Sequence, residues 1–259
     1  MRMWQRLTYS TAVAAAILLL GARPARAQAV DPLGHSHLSM YMGVFEPQGD
    51  SDLWDFNEEF TTQDVVDFDD FIGGISFGVP LGRFADMDFG TSFYDGHADV
   101  VYRDIFTVDG DKIHQEHRLQ LMPFEVSFKL FLIPRVSSGG HLYPLVPYLG
   151  GGGGILLWRY REEGLFVDDI EDPFFVFADD RETRGVTPTL HALAGMEIQF
   201  TPAAVMFFEG RYHWAEDDLG SDFDSAFDDF DLSGFSLTAG FTWRFGVPHR
   251  RSAYDEEFD

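Results

Sequence analysis

The chain has 259 residues, no cysteine and a formal net charge of −25 at pH 7. The absence of cysteine excludes a disulfide scaffold, so stability has to come from packed secondary structure. So acidic a chain repels nucleic acid, and we expect no nucleic-acid partner; divalent cations and basic proteins suit it better.

The first 27 residues have the pattern of a secretory signal peptide. Arg2 and Arg6 precede an apolar run over residues 7–21, and Ala25-Arg26-Ala27 offers small residues for cleavage. We therefore expect a signal peptide at 1–27, a main domain at 28–246 and a short charged tail at 247–259. No later apolar run is long enough for a spanning helix, which leaves a β-barrel as the only way to cross a membrane.

The rest of the chain divides into segments of alternating apolar and polar residues, bounded by turn residues. This pattern predicts β-strands. Eight candidate strands cover roughly His37–Phe45, Phe71–Val79, Met87–Tyr102, Ile113–Ile133, Pro147–Arg161, Thr187–Phe200, Ala204–Trp214 and Leu232–Phe245.

The connections between these strands alternate between long acidic segments and short turns. Residues 47–70, 162–185 and 215–231 hold 26 of the 43 carboxylates and follow the first, fifth and seventh candidate strands. In an up-and-down barrel all three emerge at the same end, and the Asp109-Gly110 hairpin turn completes that end. The asymmetry is typical of outer-membrane barrels, with the short turns in the periplasm. The prediction is an all-β, eight-stranded antiparallel up-and-down transmembrane β-barrel with long acidic extracellular loops.

A soluble barrel such as a lipocalin has the same alternation, but with an apolar interior and a wet exterior. Aromatic placement favours the membrane form, because interfacial aromatic side chains lie at both ends of the lipid-facing surface. The predicted aromatic girdle consists of Trp158, Tyr160, Tyr212, Trp214, Trp243 and Phe245.

The alternate positions on the same strands are polar or charged and are predicted to face the barrel interior. Eight strands enclose only enough room for side chains, so these groups should interlock as a plug and not line a pore. The predicted interior network contains His191, Glu197, Glu209, Arg211, His213, Arg159 and Arg244. In the fourth candidate strand the apolar parity changes at Met122-Pro123, which predicts a β-bulge there.

No motif for a catalytic, metal or cofactor site is found. His191 and His213, with two glutamates nearby, suggest a metal site, but no ligand spacing supports it, and an interior hydrogen-bond network explains them. His37 and Ser39 share a face of the first strand without an identifiable acid partner. We predict no catalytic residue, no metal and no cofactor, with weak divalent-cation binding at the acidic loops.

The region from about His35 to Phe245 resembles the small outer-membrane β-barrel domain family, the OmpA-like, OmpX-like and OmpW-like eight-stranded barrels. The resemblance rests on these stretches in order: His37-Leu-Ser-Met-Tyr-Met-Gly43, residues 119–129, Pro147-Tyr-Leu-Gly-Gly-Gly152, residues 191–197 and Thr238-Ala-Gly-Phe-Thr-Trp-Arg-Phe245. The last stretch is similar to the assembly signal of the family's final strand, carried by Thr238, Gly240, Trp243 and Phe245. The resemblance implies outer-membrane location among lipid and lipopolysaccharide, insertion by the barrel-assembly machinery and a monomeric barrel.

A family of barrels does not specify an activity. Our first hypothesis is a non-enzymatic integral outer-membrane protein whose acidic, aromatic-rich loops serve surface interaction or envelope integrity. The second is a narrow conduit for small or hydrophobic solutes. The third is an enzyme that modifies lipid A.

Overall fold

The computed structural model describes residues 35–48, 51–62, 68–107, 109–169, 172–219 and 229–245. The predicted signal peptide and tail lie outside these residues. Eight antiparallel strands close into a ring in the order β1-β10-β7-β6-β5-β4-β3-β2, which confirms the predicted fold. They are β1 (His37–Pro47), β2 (Asp70–Pro80), β3 (Ala85–Phe106), β4 (Lys112–Phe131), β5 (Leu145–Asp169), β6 (Asp172–Gln199), β7 (Ala204–Trp214) and β10 (Gly234–Arg244).

Three smaller elements lie in the connections at the loop end of the barrel, opposite the short turns. Helix α1 (Asp52–Phe60) follows β1, and the short strands β8 (Glu216–Asp218) and β9 (Asp229–Asp231) pair with each other. Within the described ranges, no helix is both long and apolar enough to cross a membrane.

The barrel wall is much taller on one side than on the other. Strands β3 to β6 contain 20 to 28 residues, whereas the other four barrel strands contain 11 each. The prediction of a long acidic loop over 162–185 was therefore wrong, because β5 and β6 continue through most of it as a hairpin. Cross-strand ion pairs such as that of Arg161 with Asp180 stabilise this hairpin. The high content of acidic residues had suggested a solvated loop instead.

Side chains alternate strictly between the two faces of β4, and the predicted bulge at Met122-Pro123 is absent. The pairing of β4 with β5 runs without a shift from Gln115 to Phe131. Leu119 and Leu121 are buried in the interior, so their parity is that of Glu125 and not that of the lipid-facing Phe124. The apparent change of parity has another cause, since the barrel interior is itself apolar at this level.

The glycine run in β5 is structural. A Cβ atom on Gly152 would lie 1.9 Å from the Val126 carbonyl oxygen, and one on Gly154 would lie 1.9 Å from the Phe124 carbonyl oxygen. Real side chains do not reach such distances, so the close approach of β4 and β5 requires glycine.

At the height spanned by the short strands, the outer surface of the barrel is an apolar belt. Met40, Phe77, Phe89, Phe128 and Leu149 all have more than two-fifths of their surface exposed. A soluble protein does not expose so large a continuous apolar surface, whereas lipid requires it. The belt ends above Phe93, Met122, Leu157 and Val186, beyond which β3 to β6 carry polar residues on this face.

Candidate functional site

The turn end of the barrel interior is closed by an arginine from the connection after β4. The Arg135 guanidinium lies between two carboxylates, 2.5 Å from Asp86 and 2.8 Å from Glu197. Glu197 also accepts a hydrogen bond from Arg244 at 2.8 Å. Because Arg135 stacks on Phe131 at 3.7 Å as well, the connection is held under the mouth of the barrel.

A chain of ion pairs continues from this cluster up the barrel. Lys129 Nζ lies 3.0 Å from Asp88 and 3.1 Å from Glu209, and Arg211 joins Glu209 at 2.8 Å to Glu125 at 2.7 Å. The Asp88 oxygens lie outside hydrogen-bond geometry, so their contacts with Lys129 and His37 are chiefly electrostatic. Five side chains from three strands thus form one connected ladder.

The ladder ends at two histidines around a single carboxylate. Glu125 Oε1 lies 3.0 Å from His191 Nδ1 and 3.2 Å from His213 Nδ1, and His191 Nε2 lies 2.8 Å from Ser127 Oγ. Serine, histidine and glutamate therefore have the hydrogen-bond order of a hydrolytic triad. The same carboxylate and histidines could also hold a metal ion, since their ligand atoms lie within 4.8 Å of one another.

The surroundings of this cluster favour neither kind of chemistry. Ser127 and His191 are 4% exposed, and the cavity next to His213 has a volume of about 20 Å³, which is near the size of one water molecule. A substrate has no room to reach Ser127. Arg211 already binds the other oxygen of Glu125, which opposes a second cation there.

The formal charges of the ladder nearly cancel. In the ladder and the cluster at the turn end, five carboxylates face four permanent cations, so the formal charges differ by one. Such balance is what a buried ionic plug requires, because an unpaired charge in this position is very costly. The carboxylates are Asp86, Asp88, Glu125, Glu197 and Glu209, and the cations are Lys129, Arg135, Arg211 and Arg244.

The loop end is closed by apolar side chains. Trp54 of α1 is 2% exposed and packs against Phe68, Tyr160 and Phe230 at ring-centroid distances of 5.1, 6.0 and 5.6 Å. The Trp158 indole adds to this plug and donates a hydrogen bond of 2.7 Å to Asp217. The barrel interior is thus filled by charged side chains towards the turn end and by aromatic rings towards the loop end.

A small polar cluster lies beside this plug, above the apolar belt. The Tyr160 hydroxyl donates to Glu162 at 2.9 Å and lies 3.2 Å from His117 Nδ1. Burial lowers the pKa of His117, although the Glu162 carboxylate partly opposes that shift. His117 is therefore held neutral, and Asn57 of α1 completes the cluster through Glu162 at 3.5 Å.

The predicted interior residues are distributed as follows. Six lie in the interior: His191, Glu197, Glu209, Arg211, His213 and Arg244. Arg159 does not, and its prediction was wrong: its side chain is 46% exposed and faces outward above the apolar belt. Ser39 bonds to Thr242 at 2.8 Å, away from His37, so these two residues form no catalytic pair.

Two of the six predicted girdle residues face the other way. Trp158 and Tyr160, 4% and 0% exposed, point into the barrel, so their assignment to the lipid face was wrong. Their neighbours Ile155 and Leu157 face lipid instead. The aromatic rings belong to the loop-end plug, which an eight-stranded barrel needs in order to fill its interior. Four lie on the outer surface: Tyr212, Trp214, Trp243 and Phe245.

Three residues of the predicted assembly signal lie in β10 and the fourth, Phe245, directly follows it. Thr238 points inward and donates to the Glu209 carbonyl at 3.3 Å, while Trp243 and Phe245 are exposed on the belt. Gly240 leaves room for the Phe207 ring, which a Cβ atom would approach to 2.5 Å.

Several residues of the plug were not predicted from the sequence. Arg135 lies in a connection that has no periodicity, and Trp54 lies in an acidic segment whose role as an interior helix has no local signal. Asp86 and Asp88 did have a signal, because they alternate with Met87 and Phe89 at the start of β3.

No protein-family model matches the chain, and no curated relative is found. Among solved structures, the chain is similar to Neisserial surface protein A, at 12% identity and a TM-score of 0.44 over 82% of this chain and 97% of that one. It is similar to OprG from Pseudomonas aeruginosa at 13% and 0.45, over 83% and 99%, and to the N-terminal β-barrel domain of OprF from the same organism at 10% and 0.35, over 82% and 98%.

The geometry of the chain itself gives the assignment. A closed ring of eight antiparallel strands leaves no open sheet edge, its outer belt is apolar, and its interior is charged. The chain is a small eight-stranded transmembrane β-barrel.

Proposed function

We propose that the protein is a non-enzymatic integral outer-membrane barrel that acts through its extracellular surface, in surface interaction or envelope integrity. The observation that carries the proposal is the filled interior. A barrel closed by an ion ladder and by aromatic rings offers its outer surface, and little else, to other molecules.

The alternative of a solute conduit requires a path along the barrel axis. Arg135 and its partners occupy the turn end, and Trp54 with Tyr160 occupies the loop end. Opening either end breaks buried ion pairs or unpacks a buried indole, each at a cost of about 3 kcal/mol or more. Both features favour a closed barrel over a conduit.

The alternative of an enzyme that modifies lipid A requires a nucleophile that a lipid can reach. Ser127 is the serine in triad order, and it faces the interior among charged groups. Lipid lies on the other side of the wall. The placement therefore favours the non-enzymatic proposal.

The surface that remains is dominated by the projecting wall of β3 to β6. Above Leu157, β5 continues for 12 residues, which is about 40 Å of strand. Its outer face carries acidic groups among basic ones, including Glu163, Asp180 and Glu116. Such a wall suits contact with basic proteins or weak divalent-cation binding, and insertion as a monomer by the barrel-assembly machinery is part of the same proposal.

The test measures the conductance of the full-length protein and compares its activity in cells with that of a variant whose wall is shortened. Replacing residues 163–180 by an Asn-Gly turn joins Glu162 to Arg181, which are direct partners in the ladder, and should leave the membrane barrel folded. We expect no conductance from the full-length protein in planar bilayers. We also expect the shortened protein, unlike the full-length one, to fail to restore adhesion and exclusion of a hydrophobic dye in cells that lack the gene.

Steady single-channel currents from the full-length protein would refute the closed barrel and favour the conduit. A change in lipid A mass that disappears in Ser127→Ala would refute the non-enzymatic proposal. Full restoration by the shortened protein, with normal heat-modifiable mobility on gels, would refute a role for the wall.

A further inference from the structure

The outer face of the tall wall carries charge in bands. Directly above the top apolar row, Arg159 pairs with Arg184 on β6 and with Gln120 on β4. One row higher, Arg118 pairs with Arg161. Successive outward residues on a strand are about 6.6 Å apart, so four arginines occupy the two rows that follow the hydrocarbon surface.

These arginines are arranged unfavourably for the protein alone. Arg159 faces Arg184, and Arg118 faces Arg161, in direct cross-strand register, and like charges in that position repel. Four of the 18 basic residues of an acidic chain gather here. An anionic group bound between them would turn the repulsion into attraction.

The carboxylates near the four arginines do not prevent these arginines from binding an anion. Arg118 pairs with Asp95 at 2.5 Å, Arg159 with Glu182 at 2.5 Å, and Arg161 with Asp180 at 2.7 Å and with Glu163 at 3.0 Å. All four pairs are at least partly exposed, and exposed pairs contribute little stability. Within the described part of the chain, Arg184 has no ion pair.

The surface is concave at the junction between the arginines and the apolar belt. A groove of about 170 Å³ is lined by Phe93, Met122 and Leu157 below and by Gln120 and Arg159 above. A second depression lies between the arginines of both rows. An apolar groove that opens upward onto guanidinium groups fits a molecule with an acyl chain and an anionic head.

We propose that Arg118, Arg159, Arg161 and Arg184 bind the phosphate groups of an outer-leaflet glycolipid whose acyl chain lies in the groove beneath them. Guanidinium groups bind phosphate through paired, charge-assisted hydrogen bonds, and the height of the band matches the level of the head groups. The inference depends on the membrane position of the barrel but not on the surface function proposed above. Either proposal can fail without the other.

The test uses the full barrel refolded into phosphatidylcholine nanodiscs that contain a small fraction of bisphosphorylated lipid A or of its dephosphorylated form. Native mass spectrometry then counts the glycolipid retained by the extracted barrel. We expect retention of the phosphorylated form to be on the order of tenfold stronger, as charge-assisted contacts to phosphate imply.

The variant Arg159→Gln/Arg184→Gln should lose most of this preference. The matched control is Lys112→Gln, which removes a positive charge from the same face of β4 about 20 Å of strand above Arg118 and should change nothing. Normal heat-modifiable mobility shows that each variant is folded.

Equal retention of the two lipids, or an unchanged preference in the double variant, would overturn the proposal. Displacement of the glycolipid by inorganic pyrophosphate at equimolar concentration would show a site for free anions and would overturn its assignment to a lipid.

Discussion

Removal of the central cation tests the ion ladder most directly. Lys129 is the only link between Asp88 and Glu209 among the described contacts, at 3.0 and 3.1 Å. Lys129→Met keeps the length of the side chain and removes the charge. The five carboxylates of the ladder and the turn-end cluster would then face three permanent cations, and Asp88 would retain only its contact with His37 at 3.2 Å.

The expected loss follows from the cost of leaving buried charge unpaired. Breaking a buried ion pair by removing one partner costs about 3–5 kcal/mol, and Lys129 serves two carboxylates, so we expect the free energy of unfolding to fall by at least about 3 kcal/mol. The second substitution Asp88→Asn restores the charge difference of the native interior. We expect the double variant to be more stable than Lys129→Met, with a coupling energy of about 1–3 kcal/mol.

The assay is reversible urea unfolding in lipid vesicles, followed by tryptophan fluorescence and by heat-modifiable gel mobility. The wild type, both single variants and the double variant form a complete cycle. Strictly additive effects, or a Lys129→Met variant as stable as the wild type, would refute the charge-balance argument. In that case apolar packing alone would hold the interior.

Three further predictions concern the loop end and the glycine run. Trp54→Ala should cost about 3–5 kcal/mol locally and abolish hydrogen-exchange protection of α1 while the barrel strands stay protected; retained protection of α1 would contradict the plug. Because burial lowers the pKa of His117 in the folded state, its neutral form contributes stability above about pH 6.5 that is lost on acidification; the stability difference from His117→Gln between pH 7.5 and 5 should show this, and a constant difference would contradict it. Gly152→Val should prevent barrel folding, because its side chain would collide with the Val126 carbonyl, whereas Gly110→Asn in the exposed hairpin turn should fold; recovery of folded Gly152→Val would contradict this account.

The period-two pattern of the sequence was enough to predict the number of strands, their order and the inward direction of most charged residues. The pattern was not enough to predict which face of β5 points into the barrel. Gly150 to Gly154 carry no side chains that would reveal a face, and Trp158 and Tyr160 resemble girdle residues. The residues of β5 that face lipid include Leu149, Ile155 and Leu157, which have the opposite parity.

The errors of parity have one physical origin. The ion ladder lies in the lower part of the barrel, and the upper interior is filled mainly by apolar side chains, including those of β4, β5 and α1. Leu119 and Leu121 therefore looked like lipid-facing residues out of register. A rule that equates apolar with outward is valid only where the barrel contents are polar, and no local signal marks the level at which they change.

The unequal strand lengths give the molecule a front and a back in the plane of the membrane. Four tall neighbouring strands shield one flank, while the flank of β1, β2, β7 and β10 ends near the lipid surface. A neighbour that approaches from the tall side meets a charged sheet that projects above the apolar belt. Lateral encounters in a crowded leaflet are therefore directional, and the orientation of a single copy decides which of its neighbours it can touch.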